Sequence, residues 1–212
     1  MRFLASISGL LTLVFMVSAP ATAGGDDQPL RAAPEIISQR YCFGDAEVFS
    51  VWLKLRVKYT NLTNKTLILD KEIGKAWYGV TVAHNVEDLA AGKYESNPNI
   101  DWFFTDKDQL PKSPSSAAPG PDFAILSPGK TFESAIDTSV VAQYDITKDV
   151  AGAIRSGTHI FQMQISAWNR PGLAREFEKS WRQTGQIVTG LIKTEPIELR
   201  LPANPKVESD CK

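Results

Sequence analysis

Residues 48–69, VFSVWLKLRVKYTNLTNKTLIL, limit what this chain can fold into more than any other stretch. Phe49, Val51, Leu53, Leu55, Val57 and Tyr59 alternate with Val48, Ser50, Trp52, Lys54, Arg56, Lys58 and Thr60. Successive side chains of an extended backbone point to opposite faces, so the pattern predicts a strand with one dry and one wet side. The run closes on Asn61-Leu62-Thr63-Asn64-Lys65, residue types that bond their own backbone and tolerate left-handed conformations. Residues 66–69 then read as the returning strand of a hairpin.

The rest of the chain repeats the theme. Residues 36–42 read as a first strand, and residues 76–83, AWYGVTVA, as another in which Gly79 weakens the run or marks a bulge. Residues 123–126 lead through Ser127-Pro128-Gly129-Lys130, a turn, into strand-like alternation from Thr131 to Ile136, with 140–144 as a possible extension. Residues 147–154 fit either that extension or one helical turn. In THIFQMQISAW, Phe161, Met163, Ile165 and Ala167 alternate with Gln162, Gln164, Ser166 and Trp168, which makes a second strong strand. After Pro171-Gly172 the period changes. Leu173, Phe177 and Trp181 recur every four residues, Glu178 and Arg182 form an i, i+4 pair, and Gly185 suits a C-cap, so a helix is expected near 173–184. Residues 186–192 and 195–201 close the pattern as two strands. Short strands, regular turns and one late helix predict an all-β fold, an antiparallel sandwich. Between them, residues 84–121 form a long irregular insertion: an acidic, helix-prone piece (VEDLAAGKY), then SNPNIDWFFTDKDQLP, then the Pro-rich KSPSSAAPGP. A loop of that length in a compact domain is functional or disordered.

Three segments, WLKLRVKYTNLTNKTLIL, LSPGKTF and GTHIFQMQISAW, together resemble secreted bacterial domains of immunoglobulin-like or fibronectin-like β-sandwich type, over about residues 36–201. The resemblance implies a fold and a compartment, an immunoglobulin-like β-sandwich outside the cytoplasm, and no particular activity. It departs from antibody-type domains, whose cysteine pair brackets a core tryptophan.

The ends of the chain agree with that compartment. Residues 1–23 carry Arg2, the uncharged run FLASISGLLTLVFMV and Ala21-Thr22-Ala23, the order of a secretory signal peptide. The apolar run is short beside the roughly 20 residues of a spanning helix. Residues 24–35 read as a flexible leader and residues 36–212 as the single folded domain. The two cysteines, Cys42 and Cys211, stand at opposite ends of that domain, and in an oxidising compartment the expected reading is a disulfide between them. With 23 Lys plus Arg against 24 Asp plus Glu, the charge balance argues against nucleic acid and against electrostatic membrane docking.

Candidate chemistry is sparse. AILSPGKT, residues 124–131, matches a relaxed phosphate-loop pattern, but the mechanism needs a helix after the loop and FESAI alternates like a strand, so a β-turn is expected. His84 and His159, the only two histidines, fall on different elements without metal-ligand spacing, and His159 at the start of a strand reads as a satisfied edge or core residue. Asp101, Asp106 and Asp108 crowd one loop without matching a calcium loop. Lys54, Arg56 and Lys58, with Trp52, offer a polyanion or polysaccharide surface, or simply a wet strand face. Asn61-Leu62-Thr63 and Asn64-Lys65-Thr66 are glycosylation sequons whose asparagines turn chemistry explains equally. Trp102-Phe103-Phe104, three aromatics in the polar insertion, either pin it to the sandwich or present a sticky surface.

The expected protein is therefore an exported, non-enzymatic binding or interaction module, with no cofactor and no metal, whose partner is a protein or carbohydrate engaged through Trp102, Phe103 and Phe104. The alternatives are an extracytoplasmic hydrolase with a triad assembled from distant residues and a protease-inhibitor-like module with its bait in the Pro-rich loop.

Overall fold

The computed structural model describes residues 28–44, 47–74, 77–95, 100–102, 118–145, 147, 149–167 and 171–209. The signal-peptide reading of residues 1–23 lies outside them, as do Cys211, Phe103, Phe104, Asp106, Asp108 and most of the Pro-rich loop.

Strands β1 (Leu30–Phe43), β2 (Val48–Asn61) and β7 (Thr131–Gln143) form one antiparallel sheet with β2 in the middle. The alternation of β2 does what its period dictates. Phe49, Val51, Leu53, Leu55, Val57 and Tyr59 are all buried, while Trp52, Lys54, Arg56 and Lys58 face solvent. Burying each such apolar side chain stabilises by about 1.5–3 kcal/mol, so this one face contributes heavily to the core. A second sheet carries β5 (Ile100–Trp102), β4 (Trp77–Ala83) and β8 (Gly157–Ser166) in that order, with β10 (Leu191–Lys193) and β11 (Ile197–Leu201) pairing with different lengths of the far edge of β8. Val80, Val82, Phe161, Met163, Ile165, Leu199 and Leu201 of this sheet join the β2 face in one continuous core. The Tyr78 hydroxyl donates to the carbonyl of Asp137 at 3.0 Å, tying β4 of one sheet to β7 of the other.

A third, small sheet corrects the hairpin expectation. Strand β3 (Leu67–Asp70) does not pair with β2; it pairs antiparallel with β6 (Phe123–Leu126) and parallel with β9 (Gln186–Ile187). The reason lies in LILD. Leu67 and Leu69 enter the main core, and Ile68 packs with Ala174, Phe177 and Trp181 of helix α2 (Pro171–Trp181) and with Ile187. Dry on both faces, β3 must lie between the core and the helix, so the chain arches away from β2 instead of folding back beside it. The helix itself falls where its four-residue spacing puts it.

Two further boundaries differ from the sequence reading. Strand β1 opens at Leu30, inside the stretch read as flexible leader, and Leu30, Ala32 and Pro34 are buried. Pro34 misled the composition argument: β1 is an edge strand, where a residue without an N–H is tolerated. Residues 186–192 are two strands, not one, because β9 belongs to the small sheet and β10 to the β8 sheet; the chain changes sheets before Gly190, whose φ is +87°. Among residues 147–154, Thr147, Ala151 and Gly152 lie in turns and Ile154 bridges to Ala142, while β7 runs unbroken to Gln143.

The free side of β1 is covered at both ends. Glu195 N–H donates to the Ala32 carbonyl at 2.8 Å; near the other end Phe43 N–H donates to Glu208 at 2.9 Å and Glu208 N–H to Tyr41 at 2.8 Å. The C-terminal segment thus returns alongside the buried Cys42. Between these clamps Ile37 is bulged out of register with β2. Covered ends and a bulge both discourage edge-to-edge association.

Candidate functional site

The described first part of the insertion, residues 84–95, is anchored to the fold. Helix α1 (Val86–Ala90) begins it, with Asn85 as N-cap: the Asn85 side chain accepts from the Asp88 N–H at 2.8 Å. Leu89 is buried, whereas Val86 and Tyr94 are 51% and 44% exposed. The Glu95 N–H then donates to the Val82 carbonyl at 2.8 Å, returning the chain to β4. Residues 100–102, read from sequence as irregular, form β5, whose Trp102 stands opposite Trp77 and Asp101 opposite Tyr78 on the outer edge of the β8 sheet. Of the aromatic triplet only the Trp102 backbone is placed; Phe103 and Phe104 lie outside the described residues.

At the root of this segment the two histidines come together. Ala83 pairs with Ile160, which places His84 and His159 side by side just beyond the ladder. One Glu95 carboxylate oxygen bonds the Nδ1 of His159, and the other lies 3.6 Å from the Nδ1 of His84. The Nε2 of His159 is 2.7 Å from the carbonyl oxygen of Arg155. His159 is only 3% exposed, so both ring nitrogens are spoken for inside the protein. A histidine held this way positions chain; it has no open nitrogen with which to take a proton from a nucleophile. Among the described residues no group of three or more His, Cys, Asp or Glu is arranged to hold a metal ion. Glu95 was invisible to spacing arguments. It becomes a partner only because β4 and β8 pair and α1 turns the chain back, and neither pairing nor return leaves a mark at fixed offset from a histidine.

The basic stripe on β2 is exposed, as its period requires, but it is not an isolated cationic surface. Arg56 donates twice to the same oxygen of Glu35, at 2.6 and 3.1 Å, and the Glu35 carboxylate raises its pKa above the usual guanidinium value. Lys58 stands opposite Glu133 and Lys54 opposite Asp137 in register, so acids on the flanking strands interleave with the stripe. Trp52, 44% exposed, sits opposite Arg40 on one side and Ser139 on the other.

AILSPGKT is a turn. Lys130 N–H donates to the Ser127 carbonyl at 3.0 Å with Gly129 at φ +73°, and β7 follows instead of a helix. The helix N-terminus that would cradle a phosphate is not there. A polar groove of about 480 Å³ opens where the arch meets the C-terminal end of α2, lined by Lys65, Thr66, Glu178, Arg182, Gln183 and Gln186 among others. The Pro-rich loop returns to the fold through Pro121, whose carbonyl accepts from the Lys71 ammonium at 2.6 Å. No helix among the described residues is long and apolar enough to cross a membrane.

No protein-family model, no curated protein and no solved structure matches this chain.

Proposed function

We propose that this chain is an exported binding module with an immunoglobulin-like sandwich as scaffold, and that residues 84–95 present its contact surface to a protein or carbohydrate partner. One observation carries the reading. The segment is fixed at its root, through Asn85, the Glu95 backbone and the buried His159, while Val86 and Tyr94 are turned out to solvent. Exposed apolar and aromatic side chains on a braced support lose little conformational freedom on binding, which is the economy of a recognition surface.

Export and the Cys42–Cys211 staple belong to the same proposal. Supporting the staple, Cys42 is buried, Cys211 is the other cysteine of the chain, and the backbone at Glu208 already runs beside Cys42. A bridge of this kind persists in an oxidising compartment. Intact-mass measurement of the exported protein is expected to show a chain beginning at Gly24 with no alkylatable thiol.

The binding reading is tested with a Val86→Ser, Tyr94→Ser double variant. Wild type is expected to retain a protein or glycan ligand that the variant loses while its thermal midpoint stays within a few degrees. Equal retention by both proteins removes the segment from the contact surface.

A further inference from the structure

The surroundings of His159 impose a proton count. Its two ring nitrogens face two oxygens, a Glu95 carboxylate oxygen and the Arg155 carbonyl, and both accept hydrogen bonds. A neutral imidazole offers one N–H and one lone pair, so beside an ionised Glu95 it satisfies one oxygen and turns its lone pair on the other. One additional proton resolves the conflict, either as imidazolium beside carboxylate or as imidazole accepting from a carboxylic acid. His159 is 3% exposed and the Glu95 side chain 31%, so the contact is part-buried and water makes good a lost donor only in part.

We propose that His159 and Glu95 together hold this proton in the folded protein as a latch that fastens residues 84–95 to β8, and that its release to the medium as pH rises loosens the segment. No bond between heavy atoms changes; the proton passes to water or hydroxide, and one part-buried acceptor loses the His159 donor. Among the described residues the charged groups around the latch are few. His84 faces the second Glu95 oxygen at 3.6 Å from the end of β4. Arg155, before β8, extends its guanidinium to Asp149 at 3.4 Å. On β11, Glu198 and Arg200 flank Leu199, the residue opposite His159, and pair with each other at 2.9 Å. Glu87, Asp88 and Lys93 complete the charges of α1 and its exit. The latch goes beyond the binding proposal and does not depend on it, since it is a property of the fold and no partner enters its test.

The test is amide hydrogen exchange read by NMR on the full mature protein from about pH 5 to about pH 9, the span in which imidazole changes charge. Rates are corrected for intrinsic base catalysis. Protection of the Glu95 amide, which bonds Val82, and of the Ala91 amide, which bonds Glu87, is expected to fall about fivefold or more on going alkaline, as the loss of one donor to a part-buried acceptor implies. Amides of β2 should not respond. A Glu95→Gln variant is expected to lose the pH dependence, and a His84→Asn variant to keep it. A flat wild-type profile overturns the latch whether or not Glu95→Gln folds. Loss of the response in His84→Asn, or its survival in Glu95→Gln, overturns it equally.

Discussion

The side-chain amide of Asn61 donates to the carbonyl of Leu126 at 2.8 Å, joining the end of β2 to the strand that enters the Pro-Gly turn. The same nitrogen donates to the Lys65 carbonyl at 2.8 Å, and the side-chain oxygen accepts from the N–H and the hydroxyl of Thr63 at 2.9 and 2.8 Å. Only 1% of Asn61 is exposed, so one buried amide builds the arch between two sheets. Its neighbour Asn64 is exposed, and in a glycosylating host Asn64 is the sequon a folded chain can carry.

Asn61→Ala removes the side-chain donor from the buried Leu126 carbonyl, at a cost of about 1–3 kcal/mol, while the Lys65 carbonyl keeps the Thr63 hydroxyl at 3.1 Å. A loss of roughly 1–3 kcal/mol is expected in urea denaturation. Asn61→Asp keeps the Thr63 contacts but aims a carboxylate at two carbonyl oxygens, so it is expected to cost more than alanine at neutral pH and to recover as the medium is acidified.

The alkaline limb of stability is set in part by Tyr59. Burial pushes its hydroxyl up to about 12 from the ordinary 10.0 of a tyrosine, with the hydrogen bond from Ser134 pulling the other way. The unfolded chain therefore gives up this proton before the folded one does. Stability from this residue is fully present below about pH 10 and is lost as pH climbs towards about 12, by roughly 2–3 kcal/mol. Tyrosinate absorbance should show a late-titrating component that Tyr59→Phe removes. Tyr59→Phe should flatten this part of the stability profile and cost little at neutral pH, because the Ser134 contact is long at 3.4 Å.

Gly74 couples the two sheets. Its φ is +81°, and a Cβ there would run into the Cδ1 of Ile136 on β7 and touch Ile165 on β8. Gly74→Ala combines a left-handed backbone with overpacking and is expected to cost about 2–4 kcal/mol. Ile136→Val removes the obstructing methyl, so the double variant should lose less than the sum of the two single losses. Additivity would mean that Gly74 and Ile136 do not meet.

Periodicity carried the reading of β2, β8 and α2, because each buries one face and the alternation records which. It failed at β3, where three consecutive apolar residues are dry on both sides and the sequence names no partner strand. It failed again at β1, where Pro34 and small residues sit at a sheet edge that only topology reveals. The candidate site was half legible. Both histidines stood out as the only two, yet their meeting depends on β4 pairing with β8 and on Glu95 arriving from a loop. The exposure of Val86 and Tyr94 follows from α1 burying Leu89, a choice of face that five residues are too few to announce.

The central claim is that residues 84–95 present the contact surface. It is tested most directly by placing a photoreactive benzophenone side chain at Tyr94, and separately at the still more exposed Leu191 on β10, across the β8 sheet from β5, and irradiating cells that export the protein. A discrete adduct from position 94, absent from position 191 and weakened by Val86→Ser, is the expected result. No adduct at position 94, or the same set of adducts from both positions, would contradict it.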